Sequence, residues 1–194
     1  MTLESLKARA RQGGVPILDD DTLEAIQTLI SVHQVTTLLE LGSGIGYSAC
    51  AFAYAHPQLK IQSLEQDEAR VKDATNNAEA LKLSDRVQFV HANARTVDPS
   101  LFHTVDCLFI DAAKAHQAAF LDRFFPCVKP GGLILIDNIA LNRVKKHTQS
   151  RAARALLRKS DVFKANLIED SRLDCTLHAV GDTLAVCIKK EVTR

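Results

Sequence analysis

The sequence predicts an α/β protein with a doubly wound, mostly parallel sheet that closes with an antiparallel hairpin. Three observations carry that expectation. Short apolar runs recur as the segment ending at Leu41 and as Ile61–Glu65, Val87–His91, Val105–Ile110 and Leu133–Asp137. Helical patterns separate them, at Glu68–Lys82 and Ala115–Phe125; continuous apolar strands alternating with helices make a parallel sheet covered by helices on both faces. The C-terminal stretch DCTLHAVGDTLAVCIKK breaks the alternation. Its two strand-like runs meet at Gly181 and Asp182, which reads as a hairpin and therefore an antiparallel pair.

Taken in order, the elements begin with a short charged helix over Leu3–Arg11. A second helix follows over Thr22–Val32, announced by the capping run Asp19–Asp21. The strand through Leu38, Leu39 and Leu41 then runs into Gly42, Gly44 and Gly46 and a helix of small residues. At 194 residues, without a Pro/Gly/Ser-rich linker, repeat or composition break, the chain is expected to be one domain, 1–194. No apolar run approaches the ~20 residues that span a bilayer, and Met1 leads into a charged helix instead of an apolar leader. A soluble cytoplasmic protein with no membrane and no DNA partner is the expectation. Cys50, Cys107, Cys127, Cys175 and Cys187 are odd in number, never spaced C-x-x-C, and set in apolar segments, so buried free thiols are expected.

The segment TTLLELGSGIGYSACAFA, Thr36–Ala53, carries the first functional signal. Glycines after a buried strand let the chain turn tightly and let backbone N–H groups approach a ligand with no Cβ in the way. The spacing is G-x-G-x-G, whereas a dinucleotide site needs G-x-G-x-x-G to seat a pyrophosphate. Glu65 closes the next strand, about 20 residues on, where a carboxylate grips ribose hydroxyls. The expected ligand carries a ribose and no pyrophosphate, which disfavours a nicotinamide dehydrogenase.

Polar residues recur at strand ends: Glu40, Glu65, Asn93, Asp111, Asp137 and Asn138. Open α/β sheets bind ligands beyond the carboxyl ends of their strands, so one crevice is expected to hold all six. Singly, each has a plain structural role, because a strand-end Asp caps a turn, an Asp-Asn pair forms an Asx turn and a lone Lys faces solvent. Their succession along one sheet favours a site. Asp111, Asp137 and Asn138 offer only oxygen, a set that suits a hard cation such as Mg²⁺ and does not suit zinc.

ELGSGIGYS, Glu65, HANAR, IDAAK and IDNI together resemble the motif series of the divalent-metal-dependent, S-adenosylmethionine-dependent O-methyltransferases, the family of the catechol and caffeoyl-coenzyme A enzymes. The resemblance extends from about Val15 to Lys189. It implies the Rossmann-like, seven-stranded methyltransferase fold with its C-terminal antiparallel hairpin, and a homodimer. It also implies that Gly42 and Ser48 line the methionine end of S-adenosylmethionine, that Glu65 takes the ribose, and that Asn93 and Ala94 flank the adenine. Leu18, in VPIL, would close over the cofactor. Asp111, Asp137 and Asn138 would hold the cation, with Asp111 also serving catalysis and cofactor binding, and Lys114 would be the general base. A competing role for Lys114 is to orient an oxyanion that the cation alone generates.

Charge bears on the acceptor. Between Ile139 and Ser160 no acidic residue occurs, yet Arg143, Lys145, Lys146, Arg151, Arg154, Arg158 and Lys159 do, so a chain of net charge +1 carries −6 elsewhere. Arg151, Arg154 and Arg158 share one face of a helix whose apolar stripe is Ala152, Ala155 and Leu156. A charge run is usually a solvated face; one directly after Asn138 instead suggests a phosphate-rich substrate, which Lys7, Arg9 and Arg11 would extend. The small bacterial members of the resembled family include a tRNA methyltransferase that acts on 5-hydroxyuridine at the wobble position, and uracil O4 with the 5-hydroxyl could chelate a cation as a catechol does. The tRNA anticodon loop is therefore the expected partner, with Arg143, Lys145 and Lys146 as substrate contacts. A small catechol-like acceptor and a non-catalytic binding protein are the alternatives.

Overall fold

Two runs of strand and helix build the protein, which we describe from a computed structural model covering residues 1–140 and 150–191. By the density of their contacts they form two compact units, Met1–Asp98 and Pro99–Arg194. The strands make one seven-stranded sheet in the order β3-β2-β1-β4-β5-β7-β6.

In the first unit, α1 (Leu3–Gln12) and α2 (Asp20–Val32) precede β1 (Thr37–Leu41), α3 (Tyr47–Ala55), β2 (Lys60–Glu65), α4 (Glu68–Ala80) and β3 (Val87–His91). Side-chain oxygens meet orphan N–H groups at the starts of α1, α2 and α4. Thr2 and Ser5 form a reciprocal box at α1, Asp19 accepts from the Thr22 N–H, and Asp67 accepts from the N–H groups of Ala69 and Arg70. β1 and β2 run parallel with Thr37 opposite Lys60 and Leu41 opposite Leu64; β2 and β3 run parallel with Glu65 opposite His91. α4 is shorter than the pattern predicts because Lys82 turns left-handed at φ 62° and ends it.

In the second unit, β4 (Val105–Ile110) leads through a 3-10 turn at Lys114–His116 to α5 (Gln117–Phe124), then to β5 (Val128–Ile136), α6 (Arg151–Glu169), β6 (Leu173–His178) and β7 (Leu184–Lys189). β4 and β5 are parallel, with Cys107 opposite Leu133 and Ile110 opposite Ile136. β5 begins before the expected Leu133, with exposed Lys129, Pro130 and Gly131 preceding its buried half. β7 lies antiparallel to both β5 and β6, so the expected hairpin inserts its second strand beside β5 and leaves β6 at the edge. Cys107–Ile110 and Ile134–Ile136 are fully buried, as the absence of a polar alternation in them requires. Phe109 and Phe124 add aromatic bulk to that core; truncating either to alanine would cost about 3–5 kcal/mol.

Two expectations need correction. Cys175 and Cys187 are bonded as a disulfide, because the β6–β7 register sets them directly opposite each other. Pairing across a hairpin follows from register, which an odd cysteine count conceals. Cys50, Cys107 and Cys127 are free and buried, as read, and burial pushes the Cys50 thiol up to about 12 and Cys107 higher still. The second correction concerns α6, where Ala153, Ser160 and Leu167 form the buried stripe, one residue out of step with the one read from sequence, and Ala152 is exposed. No helix among the described residues is long and apolar enough to cross a membrane.

Candidate functional site

In the first unit, β1 delivers the chain into three left-handed glycines, Gly42 (φ 99°), Gly44 (φ 53°) and Gly46 (φ 82°). The N–H groups of Gly42 and Ser43 both donate to the Leu64 carbonyl, at 2.8 and 3.1 Å, which lashes the turn to the end of β2. Gly44 N–H donates to Glu65 Oε2 at 3.0 Å. Glu65 Oε1 accepts from Gln66 N–H at 2.8 Å and Asp67 N–H at 3.1 Å, so this nearly buried carboxylate also shapes the backbone around itself. The glycines differ in their reasons. A Cβ on Gly46 would lie 2.6 Å from Phe89 Cζ, whereas one on Gly44 would meet nothing within 4 Å, so only backbone conformation demands glycine there. Gly46 caps α3, whose first-turn N–H groups lack intrahelical acceptors and make a positive helix end.

Ser48 and Glu40 lie inward of that turn. Ser48 Oγ donates to Glu40 Oε1 at 2.5 Å, Ser63 Oγ donates to Glu40 Oε2, and Glu40 is fully buried. Glu40 therefore belongs to the supports of the turn and not to the expected crevice, because it precedes the last strand residue and points into the core. Leu18 is buried in the segment before Asp19. Asn93 is exposed beyond the end of β3, where its Oδ1 accepts from Arg95 N–H at 2.9 Å; Ala94 beside it is half-buried.

The basic residues of α1 have partners within the first unit. Lys7 Nζ sits 2.7 Å from Asp20 and Arg11 Nη2 lies 3.3 Å from the same carboxylate. Arg9 donates to Asn77 Oδ1. Arg9 and Arg11 remain exposed.

In the second unit, β4 ends at Ile110 and Asp111 follows, with Lys114 Nζ 3.0 Å from Asp111 Oδ1 and both side chains about a quarter exposed, at 25% and 26%. β5 ends at Ile136, which places Asp137 just outside the strand and nearly buried. Asp137 N–H donates to the Ile110 carbonyl at 3.1 Å, and its own carbonyl accepts from Gln117 Nε2 at 2.7 Å. Asn138 turns left-handed at φ 57°, a conformation that asparagine tolerates better than most side chains, and donates its amide to Asp137 Oδ2. Beyond it, Ile139 N–H bonds the Thr183 carbonyl and Ala140 N–H the Asp182 carbonyl, each at 3.0 Å, while Ser160 Oγ donates to the Ile139 carbonyl. Asp137–Ala140 is thus fastened by β4, α5, α6 and the β6–β7 turn. Gln117 and Ser160 escaped sequence reading because one glutamine or serine on an amphipathic helix looks like any other.

Asp111, Asp137 and Asn138 present two carboxylates and an amide, a donor set that fits a hard divalent cation. No cluster of three or more His, Cys, Asp and Glu occurs among the described residues, so the amide would have to complete any such set. Arg151, Arg154, Arg158 and Lys159 are exposed on α6, and none is in an ion pair among the described residues. Arg143, Lys145 and Lys146 lie outside the described residues.

Comparison with known proteins bears on the fold and the family. A Staphylococcus aureus structure provisionally assigned as a caffeoyl-CoA O-methyltransferase superposes with a TM-score of 0.90 at 29% identity, covering 97% of this chain and 92% of that one. A catechol O-methyltransferase of Niastella koreensis is 29% identical over 175 residues, 85% of this chain and 78% of the relative. The tapetum-specific methyltransferase 1 of Arabidopsis thaliana is 27% identical over 187 residues, 90% of this chain and 77% of the relative. The family model for O-methyltransferases matches residues 6–190. With residues 6–190 matched and the seven-stranded sheet order in agreement, the chain belongs to the O-methyltransferase family and is an S-adenosylmethionine-dependent O-methyltransferase.

Proposed function

We propose that this enzyme transfers a methyl group to a hydroxyl that has a second oxygen beside it, with a divalent cation as its partner, and that the acceptor is 5-hydroxyuridine at the tRNA wobble position. The observation that carries the cation reading is the all-oxygen pair of strand ends, Asp111 and Asp137–Asn138, with a lysine held beside it. Asp111, Asp137 and Asn138 would hold Mg²⁺ or another hard divalent cation, which supplies the positive charge that makes a hydroxyl acidic and orients it. Lys114, held at Asp111, takes the acceptor's proton or orients the oxyanion that remains.

In the first unit, Gly42, Ser48 and the positive end of α3 receive the methionine end of S-adenosylmethionine. Glu65 receives the ribose hydroxyls, since each carboxylate oxygen accepts more than one hydrogen bond and Oε2 has taken one. Asn93 and Ala94 flank the adenine and Leu18 covers it. The sulfonium methyl is already electrophilic, so the protein's task is to hold and ionise the nucleophile.

The exposed row Arg151, Arg154, Arg158, in no ion pair among the described residues, supports an RNA acceptor, because spaced cations match phosphates. A homodimer would supply further RNA surface. The second reading, a small catechol-like acceptor, draws support from the catechol enzyme of Niastella koreensis among the relatives. Methyl transfer from labelled S-adenosylmethionine to tRNA bearing 5-hydroxyuridine and to a catechol panel, with Mg²⁺ or with chelator, separates them. Mg²⁺-dependent label in the tRNA nucleoside is the expected result. Label confined to catechols makes α6 a solvated face, and undiminished turnover in chelator sinks the cation.

A further inference from the structure

The glycine turn has a support that none of the roles above uses. Three left-handed glycines in five residues leave the backbone soft, so whatever fixes the peptides between them sets the shape a ligand meets. Gly44 N–H is fixed by Glu65, and one residue on the Ile45 carbonyl, in the peptide that leads to Gly46, accepts from Asn77 Nδ2 at 2.9 Å. Asn77 is nearly buried on α4, and its Oδ1 accepts from the guanidinium of Arg9 on α1. Arg9 is itself exposed, yet α1 cannot swing away freely, because Leu6 and Ala10 are fully buried and Lys7 and Arg11 both grip Asp20. A charged donor on the amide oxygen polarises the amide and strengthens its N–H toward the carbonyl.

We propose that Arg9 and Asn77 are positioning residues for the methyl donor: the relay from Arg9 through Asn77 to the Ile45 carbonyl holds the glycine turn in its binding shape. α1 thereby becomes part of the donor site without touching the donor. The inference rests on the glycine turn and Glu65 being the S-adenosylmethionine site. Aspartate at position 77 would keep the size but offer the Ile45 carbonyl no N–H, so that substitution separates the hydrogen bond from bulk.

The test is the affinity for S-adenosylhomocysteine, measured by calorimetry on the full chain, together with Tm and the kinetic constants for S-adenosylmethionine. Arg9→Met, at an exposed position, should fold normally, weaken binding about 3- to 10-fold and raise the donor KM in proportion, while kcat at saturating donor stays within about twofold. Arg9→Lys should recover part of the loss. Asn77→Asp, which keeps the partner for Arg9, should weaken binding more than Arg9→Met does. In the double variant Arg9→Met/Asn77→Asp the two effects should fall short of adding, as expected of residues acting in series. Wild-type affinity in both single variants, or a fall in Tm with affinity unchanged, overturns the relay. Glu65→Ala is the reference. If it leaves affinity intact, the donor-site reading falls and the inference with it; if it weakens binding while Arg9→Met and Asn77→Asp do not, the inference alone falls.

Discussion

The turn after β1 and the turn after β5 solve one problem by opposite means. Each follows a strand whose last residues are buried and each needs left-handed backbone, Gly42, Gly44 and Gly46 in the first and Asn138 in the second. The first uses residues for which that conformation is cheap and adds a few outside supports, Glu65, the Leu64 carbonyl and Asn77. In the second, a side chain that resists the conformation is held by hydrogen bonds around it, from Gln117, Ser160 and the β6–β7 turn. The glycine turn spends the N–H groups of Gly42, Ser43, Gly44 and Gly46 inside the unit and leads into the first turn of α3, which no side chain caps, while the Asn138 turn delivers side-chain oxygens. The first suits recognition by N–H groups and the second recognition by carboxylate and amide oxygen.

That difference predicts where substitutions strike. The largest effect belongs to the second turn: Asp137→Ala should lower turnover by at least about 100-fold, with donor affinity by calorimetry little changed. A parallel loss of donor binding would mean that Asp137 shapes the first unit's site instead. Next come the glycines, which should separate from each other. Gly46→Ala meets Phe89 at 2.6 Å and must also hold φ 82°, so a loss of about 2–4 kcal/mol is expected in urea unfolding. Gly44→Ala has open space and should lose only about 1–2 kcal/mol for its backbone conformation. Equal losses at the two positions would show that conformation alone rules the turn.

A smaller effect is expected from Gln117→Leu, which removes the 2.7 Å bond to the Asp137 carbonyl. It should cost about 1–3 kcal/mol, the range for a buried acceptor left unmet, and lower kcat with the donor KM unmoved. The smallest effect is that of acid. Hydrogen bonds from Lys7 hold Asp20 below its usual 3.8, and those from Arg172 do the same for Asp170. Groups depressed in the folded state stabilise it above the usual carboxylate value and lose that contribution as pH falls through the folded one. Stability should thus be flat above about pH 5 and decline below about pH 4. Because Asp20 is more than half exposed, at 54% against 15% for Asp170, solvent screening makes its share the lesser. Asp170→Asn should flatten the acid limb more than Asp20→Asn; the reverse order would break the ranking.

What could be read from the chain depended on how local the cause was. The strand Val105–Ile110 was legible because a strand buried at every position but Asp106 leaves a nearly continuous apolar run, and Val87–His91 because Val87, Phe89 and Val90 are β-formers even though only Val87 is buried. The glycine turn, Glu65 and the strand-end positions of Asp111 and Asp137 were legible because residue type and spacing along the chain carry the chemistry. The membership of Glu40 in the core was not, since a carboxylate one residue before a strand end faces either way until Ser48 and Ser63 are folded against it. The disulfide waited on a hairpin register, and the internal use of Lys7, Arg9 and Arg11 on partners brought together by folding. By itself, then, the sequence determined the order of elements, the turn that only glycine can make and the chemical character of the strand ends, all properties of neighbours along the chain. Only the tertiary structure decided which charges find partners, which cysteines meet and which distant side chains brace the two turns, because those outcomes depend on residues that only folding brings within hydrogen-bond reach.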